Sequence, residues 1–317
     1  MKRLLLPLIF MFCLSASAPG LSEALSYNLK PVKIANGTYL FEGSKEHFNL
    51  ENGGNIVNTG FIVTDKGVIV IDTGPSASYG YEMYEAINKV TSLPVVMVII
   101  THHHPDHFLG NQAFSGIPIW ALPETIAAIR TEGEMMSENL YRLVGDWMLG
   151  TEVIVPDNSI NRSGQKIGGH RLRFIALQGH DNADLAILDE TTGVLFAGDQ
   201  VFMDRAPTTP HADIDKWLES LDELEKTDFR LMVPGHGPVI GGREAFRQTR
   251  DYLNWLVKLL EDAADSGSEM TEVMNTPIPE KFAGLSSVSE EFRRSVHHLW
   301  PDVVRRKLPM AIDRRSE

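Results

Sequence analysis

The sequence predicts an α/β protein, a four-layer αββα sandwich with a C-terminal helical extension, and three observations lead there. Apolar segments of strand length recur in two separate stretches, residues 34–100 and 171–233, with helical spacing interleaved in both. Residues 95–100 are apolar throughout, as expected of a strand covered on both faces. Beyond Gly242 the composition shifts to helix formers. A chain of 317 residues can bury such a core, and 43% hydrophobic with 22% charged residues excludes a disordered or multi-span membrane reading.

Taken in order, residues 1–24 read as a secretory signal. Lys2 and Arg3 precede an apolar run at 4–14, too short to span a bilayer, for which about 20 residues are needed. Small residues offer cleavage after Ala18 or Ala24, and Pro19 favours the second. Cys13, the single cysteine, lies inside this segment, behind bulky Phe10, Met11 and Phe12 that do not resemble a lipidation site. The mature chain, 25–317, is then expected to be cysteine-free, which excludes disulfide scaffolds, thiolate zinc sites and thiol nucleophiles. Cleavage also removes Lys2, Arg3 and Glu23, and moves the formal charge from −13 to −14. So acidic a chain is a poor nucleic-acid binder, and it lacks the basic amphipathic stretch of a peripheral membrane protein. The expected location is the periplasm, without membrane insertion after cleavage.

Residues 38–41, 55–63 and 68–71 read as an antiparallel meander, separated by turn residues Asn52, Gly53 and Gly54 and then Asp65, Lys66 and Gly67. Met83, Ala86, Ile87 and Val90 share one face of a helix over 82–90 that Pro94 ends. In the second half, 171–177, 185–188, 194–197 and 231–233 read as strands and 213–225 as a helix. Phe246, Leu253, Val257, Leu260 and Ala264 mark an amphipathic helix, followed by shorter helical pieces to the end. The domain division is therefore a signal at 1–24, a sandwich domain at 25–242 and the extension at 243–317. The extension is expected to pack on the sandwich or to make a homo-oligomer contact.

Chemistry concentrates at 102–107, where four histidines and an aspartate occupy six positions. His102 and His104, two apart beyond a strand, can point to one side of an extended segment. Pro105 suits the first position of a helix, whose first turn would aim Asp106 and His107 at the same centre. Imidazole and carboxylate are good zinc ligands. Further candidates, His180, Asp199 and His236, each sit beside glycine where a predicted strand ends, so one edge of the sandwich is expected to collect them all. No nucleophile-elbow, P-loop or dinucleotide-binding glycine pattern competes.

The pattern H-x-H-x-D-H, then H, D and H, resembles the metallo-β-lactamase superfamily over about residues 34–240. The resemblance implies two zinc ions: His102, His104 and His180 on the first, Asp106, His107 and His236 on the second, and Asp199 bridging both. It implies that Asp72, in Asp72-Thr73-Gly74, orients ligands through hydrogen bonds. Two zinc ions about 3.5–4 Å apart would acidify a bridging water towards about pH 7. Asp106 is the expected catalytic residue, holding the resulting hydroxide and taking its proton. Iron or manganese could replace zinc.

Aspartate at 199, where class B β-lactamases usually carry Cys or Ser, resembles the bridging-aspartate hydrolases. Residues 101–111, 192–205, 217–221, 233–238, 251–256 and 291–296 are similar to exported zinc hydrolases of the quinoprotein relay system group, related to the sulfur-oxidation metallohydrolases. His103 and the pair Pro210-His211 depart from that group. The expected function is hydrolysis of a small ester, lactone, thioester or amide, accessory to periplasmic alcohol oxidation, with a quinoprotein or cytochrome as pathway partner. Arg205 and His211 are candidate substrate contacts; Arg205 could equally be a surface ion-pair partner. His103 reads as a rim residue, and His47, His170, His297 and His298 as surface or tail histidines. The alternatives are a mononuclear iron enzyme of the persulfide dioxygenase type, a class B β-lactamase-like activity, and a non-catalytic metal-binding accessory protein.

Overall fold

The computed structural model describes residues 25–307, so the predicted signal and Cys13 lie outside the described residues. The first sheet comprises β1 (Val32–Ala35), β2 (Thr38–Phe41), β3 (Thr59–Thr64), β4 (Gly67–Ile71), β5 (Val95–Ile99), β6 (Ile119–Ala121) and β7 (Asn158–Ser159), adjacent in that order. Pairing is antiparallel from β1 to β4, the expected meander, and parallel from β4 to β7. Its helices are α1 (Ala77–Val90), the single turn α2 (Pro105–Phe108) and α3 (Pro123–Val144). The second sheet comprises β8 (Gly164–Ile167), β9 (His170–Leu177), β10 (Asp184–Asp189), β11 (Val194–Phe202) and β12 (Leu231–His236), with α4 (Ile214–Glu225) between the last two. β12 is an edge strand, parallel to β11. The extension is α5 (Glu244–Asp265), α6 (Met270–Met274), α7 (Glu280–Ala283) and α8 (Val288–Lys307).

Two-residue alternation builds the layers. On β4, Val68 and Val70 face the helices, packing with Met83 and Ile87 of α1 and Ile129 of α3. Ile69 and Ile71 face the other way, onto Leu185, Ile187 and Phe196 of the second sheet. The far side of that sheet, through Leu188, Leu195 and Met232, packs on Trp217 and Leu221 of α4 and Phe246 and Leu253 of α5. The order is helices, sheet, sheet, helices. α5 then shares a further core with α6, α7 and α8 around Tyr252, Leu256, Phe282, Phe292 and Val296.

Four sequence expectations change. Residues 55–58 are not strand but a strap: Asn58 donates from Nδ2 to the carbonyls of Pro234 and Gly237 at 2.9 and 2.6 Å. α1 begins at Ala77, five residues early, because the Ser76 hydroxyl caps it by accepting from the Tyr79 amide at 3.2 Å. β11 continues to Phe202 and β12 to His236, so Asp199 and His236 lie in strands and not in turns after them. Pro234 is tolerated because β12 is an edge strand, where a missing amide breaks no ladder. Finally, α3 fills residues 123–144, to which the sequence pattern above assigns no element.

Candidate metal centre

The histidines and Asp106 of the pattern follow or end strands at one rim of the sandwich, and Asp199 joins them from within β11. β5 runs into Thr101 and the 102–107 segment, where Pro105 opens α2 and places Asp106 and His107 in its single turn. His180 follows β9 on a tight turn in which Gly179, at φ +127°, lies directly against the backbone of Trp217. Gly198, at φ +55°, interrupts the register between β11 and β12 and turns Asp199 towards the cluster. Gly235 allows β12 to pass beside it, since a Cβ there would overlap the Asp199 carboxylate.

The side chains form two groups sharing one aspartate. His102, His104, His180 and Asp199 place one ligand atom each within 4.8 Å of one another, as do Asp106, His107 and His236. Asp199 Oδ2 is 3.4 Å from His180 Nε2 and 3.1 Å from His236 Nε2, and its Oδ1 is 3.3 Å from His107 Nε2. Asp106 Oδ2 lies 3.8 Å from His107 Nε2 and 3.6 Å from His236 Nε2. All seven are buried.

The outward ring nitrogens of four of the five histidines are held in place, whereas His180 Nδ1 is buried without a partner among the described residues. His107 Nδ1 donates to Asp72 Oδ2 at 2.8 Å, and His236 Nδ1 donates to the Ile56 carbonyl at 2.7 Å. His104 Nε2 meets His211 Nδ1 at 2.9 Å, and His102 Nδ1 lies 3.2 Å from the Thr101 hydroxyl. Asp72 itself sits at φ +55° and also accepts from the Thr101 amide at 2.8 Å and hydroxyl at 2.9 Å.

The inward atoms test whether the site fits a metal. His102 Nε2, His107 Nε2 and Asp199 Oδ1 are buried without any hydrogen-bond partner. Such groups cost free energy unless something else satisfies them. Lone pairs from neutral imidazoles and a carboxylate, aimed at common points, suit a borderline cation such as zinc. Electrostatics agree with that protonation at His102, His104, His180 and Asp199, whereas at His107 they favour the protonated ring, whose Nε2 proton a bound metal would displace. Burial, then neighbouring imidazoles, keep His102 and His104 far below the ordinary histidine range, and burial lowers His180 to about 4 against Asp199 and Asp181. For His107 burial is overcome by Asp72, Asp199 and Asp106, which raise it. For Asp199 burial is overcome by His236, His107 and His180, which hold the carboxyl far below its usual range.

Residues 52–236 match the family model described as the metallo-beta-lactamase superfamily. The chain belongs to that superfamily. Among curated relatives, the linear primary-alkylsulfatase of Pseudomonas sp. (strain ATCC 19151) is 23% identical over 282 residues, covering 75% of this chain and 53% of that protein. Metallo-beta-lactamase IND-1 of Chryseobacterium indologenes is 24% identical over 193 residues, 58% of this chain and 73% of its own. The chain thus spans about half the length of the alkylsulfatase. Among solved structures, the metallo-beta-lactamase from Pontibacter korlensis superposes with a TM-score of 0.59 at 22% identity, covering 71% of this chain and 99% of that one. At that identity the superposition speaks for the superfamily's fold.

The cluster opens into a cavity of about 440 Å³, lined by His104, Asp106, Asp199 and His236. Arg205 and His211 both border it. Arg205 is not a surface residue: it is 1% exposed and pairs with buried Glu291 of α8 at 3.3 Å. His103 is not on the rim either. It is buried, with Nδ1 bonded to the Asp181 carboxylate and Nε2 3.5 Å from Glu132 of α3. His170 is buried against Asp189 at 2.8 Å. His298, with Arg294, lines the cavity from the extension, and Met135 and Met136 line it from α3. These residues were missed. The apolar spacing of Ile126, Ile129, Met136 and Leu140 behind Pro123 was the available signal for α3.

Proposed function

We propose that the chain is an exported hydrolase with two zinc ions, acting in the periplasm on a small ester, lactone, thioester or amide, in a pathway with a quinoprotein or cytochrome. The observation that carries the dinuclear reading is the position of Asp199, whose two oxygens face ligands of both groups. His102, His104 and His180 would hold one ion, Asp106, His107 and His236 the other, and Asp199 both. Bound there, the metals supply water acidified towards neutrality and a Lewis acid for the scissile group's oxygen.

The chain's own residues do the rest. Asp72 and the Ile56 carbonyl fix the tautomers of His107 and His236, leaving both Nε2 lone pairs facing inward. Asp106 borders the cavity and is the carboxylate able to accept a proton as water adds to the scissile carbon. Phe48, Ile56 and Met136 form an apolar wall that limits bulk water around the reacting centre.

A second reading, hydrolysis of a sulfate ester, is favoured by the likeness to the alkylsulfatase over 75% of the chain. The deciding experiment is metal quantification on the purified protein, followed by a panel of esters, lactones, thioesters, amides, a β-lactam and an alkyl sulfate. Two zinc ions per chain with turnover of a carboxylic ester or amide is the expected result. One iron per chain with oxygen consumption would overturn it. Full metallation without turnover, together with co-purification of a dehydrogenase, would point to an accessory role.

A further inference from the structure

The helical extension supplies one wall of the cavity, through Arg294 and His298 of α8. Glu291, one turn earlier, is fully buried and takes two guanidinium groups. Arg205 Nη2 donates to its Oε1 at 3.3 Å, and Arg294 Nη1 lies 3.2 Å from both of its oxygens. His47 Nε2 stands 3.2 Å from Arg294 Nη1. Burial, opposed by Glu291 and reinforced by the two guanidinium groups, holds His47 below its ordinary pKa, so it adds no charge. On α3, Arg142 is matched by Glu138 at 4.0 Å.

Two cations thus share one carboxylate. Outside the ligand set, the cavity wall carries one uncompensated positive charge in a chain whose formal charge is −13. Arg205 Nε and Nη1 are buried without a hydrogen-bond partner. Arg294, whose side chain is 36% exposed, uses only Nη1 among the described residues, which leaves Nη2 available to a ligand. A partly buried excess charge of this kind is costly unless a counter-ion meets it.

We propose that this wall is an anion-recognition subsite: the substrate bears a carboxylate-type group at the end remote from the bond to be cleaved, and Arg294 binds it. Arg205 is a positioning residue, holding Glu291 and through it Arg294. The proposal rests on the hydrolase reading and narrows its substrate class to molecules with an apolar body, matching Phe48 and Met136, and a distal anion.

The test uses zinc-loaded full-length protein and two matched pairs. Mono-4-nitrophenyl glutarate and 4-nitrophenyl valerate differ in the distal carboxylate; glutarate and butyrate, titrated by calorimetry, do likewise without needing catalysis. The wild type should prefer the anionic ester, and Arg294→Met should lower the ratio of the two kcat/KM values by roughly tenfold to a hundredfold, mostly through KM. Arg294→Lys should restore part of the ratio. An unchanged ratio, or equal loss on both esters, would overturn the proposal. If neither ester turns over, calorimetry decides the subsite and the wider substrate panel decides the hydrolase reading. Glutarate binding more tightly than butyrate, with the difference lost in Arg294→Met, supports it; equal affinities overturn it.

Discussion

Replacing Asp72 by Asn changes one atom in the support of the metal centre and has a calculable consequence. The carboxylate accepts three hydrogen bonds, from the Thr101 amide at 2.8 Å, the Thr101 hydroxyl at 2.9 Å and His107 Nδ1 at 2.8 Å. The Thr101 amide can only donate, so the carboxamide oxygen must take the Oδ1 position and the NH2 group the Oδ2 position. The hydroxyl can reverse its role and accept. His107 cannot keep a proton on Nδ1 facing an N–H donor, so its favoured tautomer moves the proton to Nε2, the atom needed as a ligand. Restoring the ligating tautomer leaves two buried donors opposed, at a cost of about 1–3 kcal/mol, or roughly tenfold to a hundredfold in zinc affinity. Competition against a chromophoric chelator measures that affinity for each zinc. Asp72→Asn should weaken one site by that factor and the other far less. Wild-type affinity at both sites would refute the argument that this hydrogen bond sets the tautomer of His107.

Gly235→Ala should push β12 away from Asp199, cost about 1–3 kcal/mol of overpacking and lower the zinc content at both positions. A thermal melt with metal analysis checks this, and a fully loaded variant would contradict it. Arg205→Met should leave Glu291 compensated by Arg294 alone and remove one charge-assisted hydrogen bond to α8, lowering the free energy of unfolding in urea by about 1.5–3 kcal/mol. A loss under about 1 kcal/mol would mean the buried pair does little for stability. Chelation should lower the thermal midpoint, because the inward atoms of His102, His107 and Asp199 lose their partners; zinc at a thousand times its Kd should return about 4 kcal/mol. A midpoint indifferent to chelator would contradict metal binding at the cluster.

Most of the sandwich was readable because its strands and helices declare their buried faces by spacing. Val68 to Ile71 alternate between two cores, and the 102–107 segment packs its donors into one turn after a strand. What escaped has physical reasons. β11 is buried along its whole length, so Gly198, Asp199 and Gln200 interrupt an apolar run without showing alternation, and they read as a turn. β12 carries Pro234, which argues against a strand unless its edge position is known. Residues 55–58 look like strand because Ile56 and Val57 are apolar, yet Asn58 spends its hydrogen bonds on the His236 segment. The cavity wall from α8 was illegible, since nothing local to Glu291 and Arg294 reveals that Arg205, 86 residues earlier, is their partner.

The central claim is that two metals flank Asp199. A crystal structure of the zinc-loaded protein, with data collected at the zinc absorption edge, tests it most directly. Two anomalous peaks about 3.5–4 Å apart are predicted, one among His102, His104 and His180, the other among Asp106, His107 and His236, with Asp199 between them. A single peak, or peaks that leave Asp199 uncoordinated, would contradict it.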